Sequence, residues 1–430
     1  MVDSGRASKR TEGEGRPQAA PPALLSAGEP FDGFDVLEEW RHPQGLVLWE
    51  ALRDSVLWAG TPAPRRPELF FRTAAERRSR ELRSVALAPD LAGPLQLLSG
   101  VLQPDSGVSE ERLASALRSV AAWAEAHDFP RTAISFAQGA ALVLPRDPAH
   151  AYTVGLYCRR NAEYSRAETW FRRARVLSWR TGDQQSYALS WIGLGNVYLQ
   201  RGDYEEAKAA HLRALRVARR RGLWHVRAMA LHDLFTIAVD QHQVAEAERY
   251  AQQAARAYSA ASPQLVSLAH DVATFWMNQG FYRRALVVFQ AVSKLLTRTG
   301  WRLVALSSLG RAAAGVGDIK LFTDAWVAVH LSLARNPNTD GACVALLMLA
   351  YGAAALEDWT RAELAAHHAL ELSGQRGESE VSTRARALLD SVPEERFAPE
   401  LIAPPDDPEV LEAADNLARL LVRRLTAGAV

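Results

Sequence analysis

The chain has little cysteine and no long apolar run. Only Cys158 and Cys343 occur among its 430 residues, which are too few for a disulfide framework or a zinc ligand set. No stretch of about 18 consecutive apolar residues occurs, so the sequence predicts no membrane-spanning helix. The amino-terminal segment, residues 1–31, lacks the apolar core of a secretory signal. These absences predict a cytoplasmic location.

An excess of charge of either sign is also missing. The 50 Lys and Arg residues nearly cancel the 49 Asp and Glu residues, which leaves a net charge of +1. Because long-range attraction to nucleic acid or to a membrane needs an excess of positive charge, we expect neither as a partner unless a local patch binds it. No phosphate-binding glycine loop, nucleophile elbow or metal-binding helix motif occurs in the sequence. We therefore predict a non-catalytic protein with no cofactor and no bound metal.

Helical periodicity and an internal repeat are what the sequence does contain. Apolar residues recur at helical spacing from Phe34 onward. When the chain is aligned on Ala207, one column of mostly small residues recurs at intervals of 35 to 40 residues. The members of this column are Thr132, Ala167, Ala207, Ala247, Ala285, Phe322 and Ala362. A bulky residue stands three positions before each of them at a short polar break, which predicts two helices and a tight turn in every repeat.

The segment from Trp191 to Leu215 shows why small residues recur among large ones. Two antiparallel helices approach closely only where the crossing carries small side chains, and Gly195 and Ala207 stand at that point of their predicted helices. Trp191 and Tyr198 would fill the space on either side. One helix pair cannot bury its apolar face alone, so the pattern predicts that neighbouring repeats stack.

These residues resemble the tetratricopeptide repeat, whose pattern is W-x2-L-G-x2-Y followed by A-x3-F. The residues that fit the pattern column by column are Trp191, Leu194, Gly195, Tyr198, Tyr204, Ala207 and Ala214. The resemblance covers about residues 107–377, and its spacing near 40 residues is similar to that of repeats in bacterial regulatory proteins. It implies an all-α fold, a right-handed α-solenoid of about seven helix-turn-helix repeats. In this family the first helix of each repeat lines a concave groove.

The segments before and after this array are predicted to form separate regions. Residues 1–31 are predicted to form a disordered tail, because Gly, Pro, Ser and charged residues cannot bury enough apolar surface to fold. Residues 32–106 are predicted to form an N-terminal helical region. Residues 378–430 are predicted to contain a cap helix, an acidic Pro-rich linker and a terminal amphipathic helix. That last helix would pack back on the array or dock on a partner, and packing is favoured because stacked repeats need an end cap.

Polar residues stand in the columns that line the groove of tetratricopeptide repeats. They are Asn196, His232, Thr236, His270, Thr274 and Arg311. Two adjacent repeats carry "HDLFT" and "HDVAT" in the same columns, so stacking would place these His and Thr side chains in one polar strip. Such side chains hydrogen-bond well to a peptide backbone, although groove residues that merely satisfy one another would give the same pattern. A metal site built on the two histidines and their aspartates is disfavoured, since adjacent helical residues diverge.

A basic run is the second candidate for a binding site. Residues 209–232 contain no acidic residue. The cations of this run include Arg213, Arg216, Arg220 and Arg227. Arginine near a helix C-terminus complements the helix dipole, which explains part of the run. A phosphate- or RNA-binding patch is the alternative, through bidentate guanidinium contacts, although the balanced charge of the chain argues against nucleic acid.

The sequence therefore predicts a non-catalytic scaffold that binds a protein or peptide segment in the groove of the array. The alternative is a regulator that resembles bacterial peptide-sensing proteins, in which a peptide or ligand in the groove controls the N-terminal helical region. No helix-turn-helix stands out between Phe34 and Leu102, so direct DNA binding by that region has no support. Neither the identity of the partner nor the oligomeric state follows from the sequence.

Overall fold

A computed structural model describes residues 33–40, 43–103, 107–296, 299–337, 339–394 and 408–427. All regular structure in these residues is α-helix or 3₁₀-helix, and none is strand. The predicted all-α fold class is therefore confirmed, and consecutive helices pack in pairs. The predicted tail at residues 1–31 and most of the predicted acidic linker, residues 395–407, lie outside the described residues. The chain divides into two compact units, Met1–Val197 and Tyr198–Val430.

The first unit contains the N-terminal helices and the first predicted repeats. Its described helices are α1 (Asp35–Glu39), α2 (Pro43–Gly60), α3 (Arg72–Ser84), α4 (Pro89–Ser99), α5 (Glu110–Ala126), α6 (Pro130–Val143), α7 (Pro148–Arg160) and α8 (Tyr164–Thr181). Short 3₁₀-helices cover Ala63–Glu68 and Gly100–Leu102, and α9 (Gln184–Gln200) extends across the boundary of the two units. α5 pairs with α6, α7 pairs with α8, and α6 also packs against α7.

A fully buried phenylalanine explains two glycines of this unit. Phe171 on α8 packs where Gly155 of α7 and Gly193 of α9 carry no side chain. A Cβ atom on Gly155 would lie 2.8 Å from the Phe171 ring, and one on Gly193 would lie 2.5 Å from it. Both distances are shorter than carbon atoms tolerate. The helices can therefore close around the ring only with glycine at these two positions.

The N-terminal helices pack on the first helix pair of the repeats. α1 and α2 both contact α6. Leu52 of α2 occupies the space in front of Gly139, where a Cβ atom would lie 2.7 Å from the leucine Cδ1. The Glu39 carboxylate accepts hydrogen bonds from the backbone N–H groups of Arg131 at 3.1 Å and Thr132 at 2.8 Å. Glu39 thereby satisfies donors that the first turn of α6 leaves open and complements its dipole.

The second unit contains the remaining repeats and the C-terminal helices. Its described helices are α10 (Tyr204–Arg221), α11 (Trp224–Asp240), α12 (Val244–Ala257), α13 (Pro263–Asn278), α14 (Tyr282–Leu295), α15 (Thr299–Gly315), α16 (Ile319–Arg335), α17 (Ala342–Ala355), α18 (Trp359–Arg376), α19 (Ser379–Ser391) and α20 (Pro408–Ala427). The pairs are α11 with α12, α13 with α14, α15 with α16, and α17 with α18. Among the helices described in either unit, none is both long enough and apolar enough to cross a membrane.

A short turn with recurrent chemistry closes the helix pairs of this unit. Gly280 before α14 and Gly317 before α16 have φ angles of 81° and 80°, a left-handed conformation that glycine adopts without strain. Asp318 and Asp358 then cap α16 and α18, because their carboxylates accept hydrogen bonds from backbone N–H groups three residues further on, at 3.0 and 3.1 Å. The polar breaks of the sequence are therefore signals that end one helix and start the next.

Two C-terminal helices cover different parts of the second unit. α19 packs on α17 and α18 and so covers the last helix pair. α20 packs instead on α12, α13 and α14. Its apolar stripe is buried there and consists of Ala414, Leu417, Leu421 and Leu425. The terminal amphipathic helix therefore packs on the repeats of its own chain, on the flank formed by α12–α14 and not at their end.

Candidate functional site

Four of the six predicted groove residues belong to two successive helix pairs of the second unit. His232 and Thr236 are on α11, and His270 and Thr274 hold the same positions on α13 of the next pair. All four residues are half-buried. Together with Asp271 they form one connected polar cluster, which we name the His–Asp strip.

Asp271 connects the two histidines of the His–Asp strip. His232 Nε2 lies 2.9 Å from Asp271 Oδ2, and His270 Nδ1 lies 3.4 Å from Asp271 Oδ1. The expectation that adjacent helical side chains diverge is therefore wrong for His270 and Asp271, because the carboxylate turns back far enough to reach the neighbouring ring. The side chain of Asp271 stays 43% exposed, so its carboxylate can still accept hydrogen bonds from a bound molecule.

The charges of the strip favour an ionised pair. Burial lowers the pKa of His232, but the hydrogen bond with Asp271 and the charges of Asp271 and Asp233 outweigh it, so the pKa lies above its ordinary value. Burial raises the pKa of Asp271, yet the hydrogen bonds from His232 and His270 outweigh this effect and lower that pKa to about 2. The strip thus carries a carboxylate at neutral pH beside a histidine that protonates more readily than a free one.

Tyr258, which follows α12, connects the strip with the C-terminal helix. Its hydroxyl oxygen lies 3.4 Å from His232 Nδ1, and the two rings meet edge to face with centroids 6.2 Å apart. The backbone carbonyl of Tyr258 accepts a hydrogen bond from the Arg424 guanidinium on α20. One buried residue therefore contacts both the strip and α20.

A second histidine–aspartate contact lies one helix earlier in the second unit. His211 on α10 is fully buried, and its Nδ1 lies 3.4 Å from Asp233 Oδ2 on α11. Burial lowers the pKa of His211 although Asp233 raises it, so this imidazole is neutral at pH 7. His211 was not among the site residues predicted from the sequence. The available signal was the aspartate of each "HD" pair, since Asp233 and Asp271 both contact a histidine of another helix.

The remaining two predicted groove residues are Asn196 and Arg311. Asn196 is half-buried on α9 and belongs to the first unit. Arg311 on α15 is only 6% exposed. Its Nη1 donates a hydrogen bond to Met348 Sδ at 3.4 Å, and its guanidinium lies 5.0 Å from the Tyr351 ring. Most of Arg311 is therefore engaged in packing between α15 and α17, and burial lowers its pKa.

The four predicted basic residues are divided between two helices. Arg213, Arg216 and Arg220 are exposed, and their spacing places them on one face of α10. Arg227 on α11 is half-buried, with its guanidinium 5.2 Å from the ring of the exposed Trp224. The structure thus gives three arginines on one helix face and a fourth beside an exposed indole.

Metal ligands and reactive thiols are not clustered in the described residues. No group of three or more His, Cys, Asp and Glu side chains is placed there to hold a metal ion. Cys158 and Cys343 are both buried, and neither forms a disulfide. Burial raises the pKa of Cys158 to about 12 and that of Cys343 to about 11. Both thiols therefore stay protonated at neutral pH, which makes them weak nucleophiles.

Comparison with protein families identifies the repeat. Residues 186–260 match the family model described as Tetratricopeptide repeat, a segment that includes α10, α11, α12 and the His232 part of the strip. Residues 186–260 are therefore tetratricopeptide repeats, as the sequence predicted for this segment. This match supports a repeat-based scaffold for protein–protein interaction, since such repeats present extended binding surfaces. Among curated proteins, none matches the chain.

Several solved structures are similar to this chain at low sequence identity. The Rap conjugation gene regulator of the plasmid pLS20, in complex with the Phr* peptide, is 14% identical with a TM-score of 0.44, over 82% of this chain and 96% of that chain. The APC/C hetero-tetramer Cut9-Hcn1 is 14% identical with a TM-score of 0.45, over 74% and 58%. BtubC from P. vanneervenii is 15% identical with a TM-score of 0.40, over 53% and 92%. These similarities are too low to indicate a shared function.

Proposed function

We propose that the chain is a non-catalytic scaffold that binds a protein or peptide segment through the His–Asp strip. The supporting observation is the Asp271 carboxylate, which two histidines hold in place while part of it stays open to solvent. A carboxylate held in this way accepts strong hydrogen bonds from the backbone N–H groups or the cationic side chains of a bound segment. Arg311 is almost fully buried against α17 and offers little to a bound segment, and Asn196 belongs to the first unit. The proposed contact therefore rests on the strip.

The two threonines of the strip add hydrogen-bond acceptors to those of Asp271. The Thr236 and Thr274 hydroxyls donate hydrogen bonds to the carbonyl oxygens of His232 and His270, at 3.4 and 3.0 Å. Each hydroxyl has thereby used its hydrogen, and its oxygen lone pairs remain available. The strip therefore presents acceptors, which suits the N–H groups of an extended segment better than a carbonyl-rich or anionic ligand.

The test is capture of the partner by the full-length chain from its native host. The variant His232→Ala/His270→Ala removes both supports of Asp271. The matched control is His367→Ala/His368→Ala, which changes two exposed histidines on α18. We expect the strip variant to bind the captured partner at least about tenfold more weakly than the wild type, because the hydrogen bonds that hold the charged Asp271 carboxylate are lost. The control should bind like the wild type. Equal binding by all three proteins would remove the strip from this proposal.

The alternative function is a regulator in which occupancy of the repeats shifts the N-terminal helices. The observation that favours it is the contact of α1 and α2 with α6, in which Glu39 caps a repeat helix. A ligand can shift such a contact only if it binds the docked and released states with different affinity. Hydrogen exchange of residues 33–60 with and without the captured partner tests this idea. Faster hydrogen exchange of these residues in the presence of the partner supports the regulator. Unchanged exchange contradicts the regulator and leaves the scaffold as the proposed function.

Phosphate or RNA binding through Arg213, Arg216, Arg220 and Arg227 is the third candidate. The exposed Trp224 beside Arg227 adds an aromatic surface on which a base can stack. Fluorescence anisotropy with a single-stranded RNA oligonucleotide at several salt concentrations tests it. Binding that weakens steadily with salt supports this candidate, and a lack of binding at low salt removes it.

A further inference from the structure

The second unit contains a large cavity that the proposed function does not use. The cavity has a volume of about 1020 Å³ and is lined by the start of α14, the end of α15 and one face of α20. None of its lining residues belongs to the His–Asp strip. A cavity of this size fits a whole organic molecule and is far larger than one inorganic ion requires.

The lining of this cavity carries an excess of positive charge. Arg283 and Arg284 come from α14, and Arg419 and Arg423 come from α20. Asp415 is the single acid among the described lining residues, and Arg284 Nε already donates a hydrogen bond to its Oδ1 at 2.8 Å. Four guanidinium groups around one paired carboxylate attract an anion, because each offers a fork of N–H donors.

Arg284 keeps a buried donor without a partner. Its side chain is only 10% exposed. Its Nη2 donates a hydrogen bond to the Leu411 carbonyl oxygen at 3.2 Å, and its guanidinium lies 4.5 Å from the Phe281 ring. Nη1 is buried and has no hydrogen-bond partner within the described ranges. An unpaired buried donor is unfavourable, so an acceptor group of a ligand would complete the set.

The rest of the lining is apolar. It consists of Gly280, Phe281, Tyr282, Val287, Gly315, Val316, Ala418 and Val422. Val287 is 49% exposed although it stands beside buried residues of α14. Covering such a surface removes apolar area from water, which is favourable, and an inorganic ion would leave it uncovered. The ligand that suits the lining therefore has an apolar body as well as negative charge.

We propose that this cavity binds an amphipathic organic anion, a compound that joins one or two carboxylate or phosphate groups to an apolar body. Arg419 and Arg423 receive the acidic groups, and Phe281 and Val287 cover the apolar body. This site goes beyond the proposed function, which concerns the His–Asp strip, because no residue of the strip lines the cavity. Because α20 supplies one wall, a bound ligand also stabilises the packing of α20 on α14.

The probe for this site is anilinonaphthalene sulfonate, an amphipathic anion whose fluorescence rises in an apolar environment. It is titrated into the full-length wild type, into Arg419→Gln/Arg423→Gln, and into the control Arg335→Gln/Arg386→Gln. Both pairs are exposed arginines, and the control pair lies outside the cavity. We expect the probe's dissociation constant to rise about tenfold in the cavity variant, because charge-assisted hydrogen bonds are lost, and to stay unchanged in the control. No binding to the wild type, or equal binding by all three proteins, would overturn the proposal.

Competition against the bound probe identifies the source of the acidic group. Displacement by naphthoate indicates a free small molecule, and displacement by a blocked Asp-Phe-Asp peptide indicates the carboxylates of a peptide. Displacement by inorganic phosphate at the same concentration as naphthoate would show recognition of charge alone and would contradict the apolar part of the proposal. The variant Val287→Asn changes an exposed apolar residue of the lining and tests the apolar part of the proposal independently. It should weaken naphthoate binding about fivefold, and wild-type affinity in this variant would exclude the apolar wall from the site.

Discussion

His232 on α11 and Asp271 on α13 share a hydrogen bond of 2.9 Å that joins two successive helix pairs of the second unit. Repeat proteins depend on contacts between neighbouring repeats, because no single repeat buries its own apolar face. In this chain one of those contacts is made by two groups that titrate. This contact between α11 and α13 therefore depends on the protonation of His232 and Asp271, and the same two residues stand in the proposed binding strip.

The first prediction concerns the ionisation of His232. The variant Asp271→Asn removes the hydrogen-bonded charge that raises the pKa of His232, so burial should then lower that pKa. NMR titration of the His232 ring protons measures the change. The control is Asp324→Asn, an exposed aspartate on α16, which should leave the His232 titration as in the wild type. An unchanged titration in Asp271→Asn would contradict the pairing.

The same pair gives a second, thermodynamic expectation. The pKa of His232 is raised above 6.5 in the folded chain, so the folded state binds this proton more tightly than the unfolded state does. The stability that the pair contributes is therefore fully present below pH 6.5 and is lost as the pH rises through the folded pKa. Urea unfolding on both sides of this interval should show this loss of stability in the wild type and not in Asp271→Asn.

A third prediction concerns Glu248, a buried carboxyl group on α12. Burial raises its pKa to about 7, although the hydrogen bond from Trp276 and the charge of Arg284 both lower that pKa to a smaller extent. A carboxyl group with a raised pKa favours the folded state while protonated, so stability should fall as the pH rises from 4.5 to about 7, by about 3 kcal/mol. Glu248→Gln keeps an acceptor for the Trp276 Nε1 hydrogen bond of 2.6 Å and should remove this loss.

Urea unfolding of Glu248→Gln across that interval measures the effect. The matched control is Glu412→Gln, an exposed glutamate on α20. If the control variant and Glu248→Gln have the same pH profile as the wild type, Glu248 does not titrate in this range. A profile that is flatter only in Glu248→Gln supports the assignment.

A fourth prediction tests the packing at the small residues of the first unit. Phe171→Ala leaves a cavity between Gly155 and Gly193 and should lower the free energy of unfolding by about 3–5 kcal/mol. The control Phe71→Ala changes a phenylalanine that is 88% exposed, and it should alter stability by no more than about 0.5 kcal/mol. Urea unfolding of both variants makes the comparison. Similar values for both would show that the Phe171 ring is not held as described.

A fifth prediction separates two neighbouring glutamates in the N-terminal helices. Glu39→Ala removes the acceptor for two backbone N–H groups of α6 and should cost about 1–2 kcal/mol. Glu38→Ala removes only an exposed ion pair with Arg131 and should cost less than about 1 kcal/mol. Hydrogen exchange in the first turn of α6 should accelerate in Glu39→Ala alone. Equal acceleration in both variants would contradict the capping role.

The helix boundaries of the repeats could be predicted from the sequence because they are set locally. The bulky residue three positions before each aligned column residue is the first residue of the second helix in most repeats. These first residues are Tyr164, Tyr204, Val244, Tyr282, Ile319 and Trp359. The turn before each of them ends one helix and caps the next, and this chemistry involves only a few consecutive residues. The all-α class followed from the same local signals.

The connections between helices of different repeats could not be predicted in the same way. The contact of Asp271 with His232 depends on how far α13 is shifted along its axis relative to α11. The repeat pattern aligns residues within each repeat and does not specify this shift. The burial of Arg311 depends on Met348 and Tyr351 of α17 for the same reason. An amphipathic helix such as α20 can pack on more than one apolar surface. Neither its amphipathic pattern nor its length identifies the surface that it covers.

The position of α20 also determines how late in synthesis the surface of α12–α14 can be covered. Arg284 and Asp415 form an ion pair although 131 residues separate them. A ribosome that adds about 5–20 residues per second needs on the order of 10 s to pass from one to the other. For that interval α12 and α14 have been synthesised but are not covered by α20, so the surface that later buries the apolar stripe of α20 is exposed to water.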